Sequence, residues 1–140
     1  HFSFIPRVRE ARYLTSCVRV SAMMDVTDGL VADMEKICAA SGVGALLFAE
    51  KIPVSSDAVR MKGTKTPLER ALSDGEDFEI LFTMPKRDVP SLMRNFYKRF
   101  NIPLSLIGST TPEKGVRVMG ADGAVFEPGE KGYDHFRTGR

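Results

Sequence analysis

The segment Ser21 to Ala40 constrains the fold of this 140-residue chain more than any other. It opens on a short apolar run, Ser21-Ala22-Met23-Met24-Asp25-Val26, which reads as a buried strand and breaks at Thr27-Asp28-Gly29. Beyond the break, Leu30, Met34, Ile37 and Cys38 recur at i, i+4, i+7 and i+8, one face of a helix. The spacing predicts a helix over Asp28–Ala40, with Thr27 as N-cap, Asp28 at the positive end of the dipole and Gly42 as the stop after Ser41. This strand-turn-helix commits the chain to a sheet packed by helices.

The remaining segments extend that reading. A helix is expected from about Val8 to Cys17, with Tyr13, Leu14 and Cys17 on one side. Gly44–Phe48 reads as a second strand closed by Ile52-Pro53, and Ser55–Lys65 as a polar connection. A short helix follows with Pro67 at its first position, running to about Leu72. Asp74-Gly75 signals a turn into a strand over Asp77–Thr83, with Phe78, Ile80 and Phe82 on its single core face. Pro85 opens the last helix, in which Val89, Leu92, Met93, Phe96 and Phe100 share a face. Strands at about Leu104–Ile107, Val116–Met119 and Ala124–Phe126 complete a sheet, with Asp122-Gly123 as a hairpin turn. The polar tail Gly129–Arg140 forms no element of its own. Alternating and fully apolar strands together predict a mixed β-sheet packed by helices, an α/β or α+β fold, in one domain over residues 1–140.

Charge excludes several roles. Twenty Lys and Arg face eighteen Asp and Glu, and a net charge of +2 offers no field that would concentrate nucleic acid or anionic lipid. The longest uncharged stretch, Ile37–Ala49, contains two glycines and a serine and falls short of the roughly 18–20 apolar residues of a membrane span. Cys17 and Cys38 are too few for a disulfide framework and read as buried thiols in a reducing compartment, the cytoplasm. The chain opens at His1 without an initiator Met and is expected to be a piece of a longer protein.

Three constellations carry chemistry. The first is Met24-Asp25-Val26-Thr27-Asp28-Gly29-Leu30, where a helix N-terminus favours an anion and two carboxylates three residues apart suit a hard divalent cation, together a metal-bound phosphate. Capping alone accounts for Thr27 and Asp28, but not for Asp25, whose carboxylate at the end of an apolar strand is costly to bury without a partner. The second is Asp74-Gly75-Glu76-Asp77-Phe78-Glu79, able to hold a metal or a cationic substrate, or simply a solvated acidic loop. The third is Gly132-Tyr133-Asp134-His135-Phe136, either a lid over a ligand or an anchor for the C-terminus. A Walker A loop, a dinucleotide glycine fingerprint and a metalloprotease His pair are absent from the sequence. With His1 and His135 the only histidines, a His-based triad or zinc site has little support.

In order and separation these three segments resemble the C-terminal half of the thiamine-monophosphate kinase family. Pro6-Arg7-Val8, Ser41-Gly42-Val43-Gly44, Ile52-Pro53 and Ile107-Gly108 add to the likeness. The resemblance implies an enzyme that phosphorylates thiamine monophosphate to thiamine diphosphate with ATP and magnesium, by direct transfer. It places Asp25 and Asp28 as magnesium ligands, Thr27 against ATP, and Glu76 and Tyr133 against the thiamine moiety. An acid and an aromatic face suit a cationic thiazolium ring. It implies a C-terminal-domain fold related to aminoimidazole ribonucleotide synthetase, partly ferredoxin-like. It also implies that an N-terminal half supplies most of the nucleotide site and the dimer contact, so that these 140 residues are the substrate-side domain of a homodimeric kinase and inactive alone. Thr27 replaces the commoner Ser but keeps the hydroxyl, Phe78 stands for Tyr, Asp74 takes a Gly position, and Ala11 follows Arg9-Glu10 where Gly is frequent. The alternatives are half of an aminoimidazole ribonucleotide synthetase-like ATP-dependent ligase and a non-catalytic binding module.

Overall fold

A computed structural model describes residues 5–75 and 78–128 of the chain. In order they form α1 (Val8–Cys17), β1 (Ala22–Asp25), α2 (Leu30–Ser41), β2 (Gly44–Phe48), α3 (Ser56–Arg60) and α4 (Pro67–Ser73). Then come β3 (Ile80–Thr83), α5 (Val89–Phe100), β4 (Gly108–Thr111), β5 (Gly115–Met119) and β6 (Val125–Phe126). The mixed α/β class is as expected, but the strands form two sheets rather than one. β1 pairs antiparallel with β3 as a two-stranded ribbon, and the other four lie in the order β4-β2-β5-β6, with β2 and β5 parallel.

The larger core lies between α2 and the four-stranded sheet. Leu30, Met34, Ile37 and Cys38 of α2 meet Ala45 and Leu47 of β2, Val116 and Val118 of β5, and Leu72 of α4. Gly42 ends α2 in the left-handed conformation directly after Ser41, as the sequence predicts. A second, smaller core gathers Leu14 of α1 with Leu92 and Phe96 of α5, and Tyr13, Phe96 and Phe100 stack edge-on or tilted within it.

The ribbon divides the two cores. Met23 and Phe82 pack into the smaller one, while their neighbours Met24 and Leu81 pack into the larger. The expected single core face for the third strand is therefore corrected: Leu81 is buried on the opposite face from Ile80 and Phe82 because α2 covers one side of the ribbon and α1 with α5 the other.

Other corrections have local causes. The strand expected at Leu104–Ile107 forms instead as β4, whose Gly108-Ser109-Thr110-Thr111 sequence has no apolar pattern; it is an edge strand held by backbone pairing to β2. Pro85 precedes a 3-10 turn at Lys86–Asp88, and α5 begins only at Val89, with Pro90 in its first turn. The polar connection contains α3, where the Ser55 hydroxyl accepts the Ala58 N–H at 3.1 Å. Cys38 is buried as expected, but Cys17 is exposed, since α1 buries only Glu10 and Leu14. The hairpin at Asp122-Gly123 forms as read, with Asp122 accepting the Ala124 N–H at 3.0 Å. Among the described residues no helix is long and apolar enough to cross a membrane.

Candidate functional site

The turn between β1 and α2 exposes Asp25, Thr27 and Asp28 together, around a buried Val26. Asp25 ends the strand at the rim, so the burial penalty expected of its carboxylate does not arise. Backbone pairing continues past it, with Val26 N–H donating to the Glu79 carbonyl at 2.9 Å and Phe78 N–H to the Val26 carbonyl at 3.0 Å.

The N-cap of α2 is Gly29, not Thr27. Its φ of 119° lies in the region that favours glycine. An ideal Cβ there would also come within 2.9 Å of the Ser73 carbonyl oxygen. The chain thus enters the helix two residues later than capping statistics suggest, because a different residue satisfies the turn.

That residue is Asp33, which the sequence reading missed. Its side chain is fully buried, and its Oδ2 accepts the N–H groups of Thr27 at 2.7 Å and Asp28 at 3.0 Å. Its Oδ1 accepts from the Lys36 ammonium at 2.7 Å, and the same ammonium lies 2.5 Å from Asp28 Oδ2. Burial alone would push the Asp33 carboxyl up, but Lys36 and the two amides outweigh it and hold the group below the ordinary carboxylate range. Asp28 and then Asp33 push the Lys36 ammonium upward in turn. Two amides that the sequence suggested would face an anion are therefore turned inward onto a carboxylate. The legible signal was position: Asp33 falls three residues after Leu30 and four before Ile37, on the apolar stripe itself, where a charged residue is informative.

The second acidic motif comes against this turn. α4 starts on a Thr66/Glu69 capping box with Pro67 in its first turn, and ends at Asp74, which takes an ion pair from Lys65 at 2.7 Å and from Arg70 at 3.5 Å. The Lys65 hydrogen bond is the main reason the Asp74 carboxyl is held below its ordinary range. Asp74, noted in sequence as standing at a Gly position, thus fastens the loop to the segment before α4. Gly75 sits so close to the turn that an ideal Cβ would lie 2.3 Å from the Thr27 carbonyl oxygen. Gly75→Ala is expected to force the two loops apart and cost about 1–3 kcal/mol in denaturant melts, the usual scale for overpacking; unchanged stability would mean that the loops do not pack together.

Arg7 closes the remaining side. It forks the Glu79 carboxylate at 2.7 and 3.1 Å, tying the start of α1 to the entry of β3. The structure therefore brings Asp25, Thr27 and Asp28 together with Asp74, Gly75 and Glu79. Glu76, Tyr133 and the tail from Gly129 lie outside the described residues, and with them the expected contacts of Glu76 and Tyr133 with the thiamine moiety and the lid or anchor role of the tail.

Among the described residues no three His, Cys, Asp or Glu side chains cluster closely enough to enclose a metal by themselves. Magnesium asks for less, commonly one or two carboxylates plus waters and substrate phosphates. The donor set at the turn fits that requirement, with the Lys36 ammonium already standing as a cation on Asp28.

Comparison with known proteins identifies the family to which such a fold belongs. The family described as AIR synthase related protein, C-terminal domain, matches residues 5–121. A thiamine-monophosphate kinase from Rhodopirellula baltica is 35% identical over 113 residues, covering 79% of this chain and 35% of that protein. The crystal structure of thiamine-monophosphate kinase from Stenotrophomonas maltophilia superposes with a TM-score of 0.73 at 32% identity, over 84% of this chain and 35% of that one. A structure of AaThiL complexed with AMPPCP and TMP gives a TM-score of 0.65 at 33% identity, over 87% of this chain and 36% of that one. The chain thus spans little more than a third of the length of these relatives.

Proposed function

The chain belongs to the family of AIR synthase related C-terminal domains, and from that premise we propose that it is the substrate-side domain of a two-domain thiamine-monophosphate kinase. The observation that carries this reading is the packing of Ser73–Gly75 against the Asp25–Gly29 turn, in a chain whose relatives at 30% identity and above bear that name. The AaThiL complex with AMPPCP and TMP supports a nucleotide and a phosphorylated substrate as ligands of the full-length protein.

In this reading the full-length enzyme moves the terminal phosphoryl group of ATP onto thiamine monophosphate and yields thiamine diphosphate. Asp25 and Asp28 hold magnesium, Thr27 presents its exposed hydroxyl to the nucleotide, and Glu76 and Tyr133 receive the cationic thiamine ring. A bound magnesium ion would offset the negative charge that builds on the transferring phosphoryl group. Asp33 supplies no ligand; it fixes the backbone on which Thr27 and Asp28 are mounted. The N-terminal domain and a second subunit complete the assembly.

Incubating the full-length protein with ATP and thiamine monophosphate is expected to give thiamine diphosphate only when magnesium is present. The 140-residue chain is expected to turn over neither substrate. Formation of a ligase product instead would replace the kinase reading, and absence of any turnover by the full-length protein would favour a binding module.

A further inference from the structure

Two carboxylates share the Lys36 ammonium, and their surroundings differ. Asp33 is fully buried, and a buried carboxylate stripped of its counter-ion is strongly disfavoured. The Asp28 side chain is 64% exposed, and an ion pair at such a surface is weak. Lys36 is itself about half exposed, on a flexible stem with three donors, so it can release one oxygen while keeping the other. The Asp28 contact is the shorter, at 2.5 against 2.7 Å, but exposure lets water replace it, whereas the buried Asp33 has no such substitute, so Asp28 is the partner Lys36 can give up.

We propose that Lys36 is a resident counter-ion that holds the Asp28 carboxylate in place until a divalent cation takes it, and then withdraws onto Asp33. The inference rests on the metal role proposed above for Asp25 and Asp28. It follows that Lys36 sets how tightly the turn binds a cation. An ammonium 2.5 Å from a ligand oxygen repels any second cation brought to that oxygen. The same contact keeps Asp28 oriented and parts of its charge compensated when no cation is bound, which favours a preformed site over a tighter one.

Manganese(II) serves as the probe, its free concentration read by electron paramagnetic resonance during titration of the full-length protein. Lys36→Met is expected to lower the Kd by about threefold to tenfold, the effect of removing one partly screened charge. Lys36→Arg, which keeps the charge and adds a planar fork able to grip both carboxylates, is expected to raise the Kd and covers the case in which Lys36→Met fails to fold. Asp28→Asn should abolish binding. If Asp28→Asn loses binding while both Lys36 variants match the wild type, the counter-ion role is overturned and the metal assignment stands. If Asp28→Asn binds as the wild type does, or nothing binds at all, the metal assignment falls and the counter-ion role with it.

Discussion

Asp33→Ala is expected to destabilise the domain by about 2–4 kcal/mol, because it leaves the Thr27 and Asp28 amides without their acceptor and takes the buried one of its two carboxylate partners from the Lys36 ammonium. The substitution removes the acceptor for Thr27 and Asp28 N–H and the buried counter-charge of Lys36 in one step. Asp33→Asn separates these functions, since its amide oxygen can still accept the backbone donors while the negative charge is gone. The pH dependence has a definite sign. The folded-state carboxyl titrates below its ordinary value, so its contribution is fully present above the ordinary carboxylate pKa and is lost as pH falls through the lowered folded value. Urea melts should therefore show a gap between wild type and Asp33→Asn that is constant near neutrality and shrinks below about pH 4. A gap that stays constant on acidification would mean that the charge contributes nothing.

Asp25→Asn tests the other half of the turn, in the full-length enzyme. Asp25 is exposed at the end of β1, so the change should alter stability by no more than about 0.5 kcal/mol. If it holds the metal, kcat/KM for thiamine diphosphate formation should fall by roughly a hundredfold or more, at least the loss seen when even the outer partners of metal ligands are removed. A variant that melts well below the wild type yet turns over normally when folded would assign Asp25 a structural task.

The strand-turn-helix at residues 21–41 was legible because apolar spacing and burial coincide there, as Leu30, Met34, Ile37 and Cys38 attest. The packing of Gly75 against Thr27 was not legible in the sequence, because the two loops meet only through the fold and no periodicity records it. Asp33 escaped notice because the stripe was counted by its apolar members, although a charge on a buried face is the more informative residue. β4 was displaced because Gly108–Thr111 is polar and owes its place to the carbonyls and amides of β2, which no side-chain pattern records. Leu81 was set on the outer face because alternation implies one covered side, and the second cover comes from α2, far away in sequence.

A ribbon with apolar cover on both sides has a consequence for alignment. Sliding β1 by one residue along β3 would turn every side chain to the opposite face, which in a one-sided sheet would drive polar groups into the core. Here it would mostly exchange Met23 for Met24 between two apolar environments, so oil-like contacts discriminate poorly between the two alignments. The groups that do discriminate lie at one end: the Glu79 carbonyl on Val26 N–H, the Arg7 fork on the Glu79 carboxylate, and Asp33 on the amides of Thr27 and Asp28. These polar contacts act as the registration pin of the ribbon. The residues that frame the proposed site thereby also determine which backbone atoms of β1 and β3 face one another.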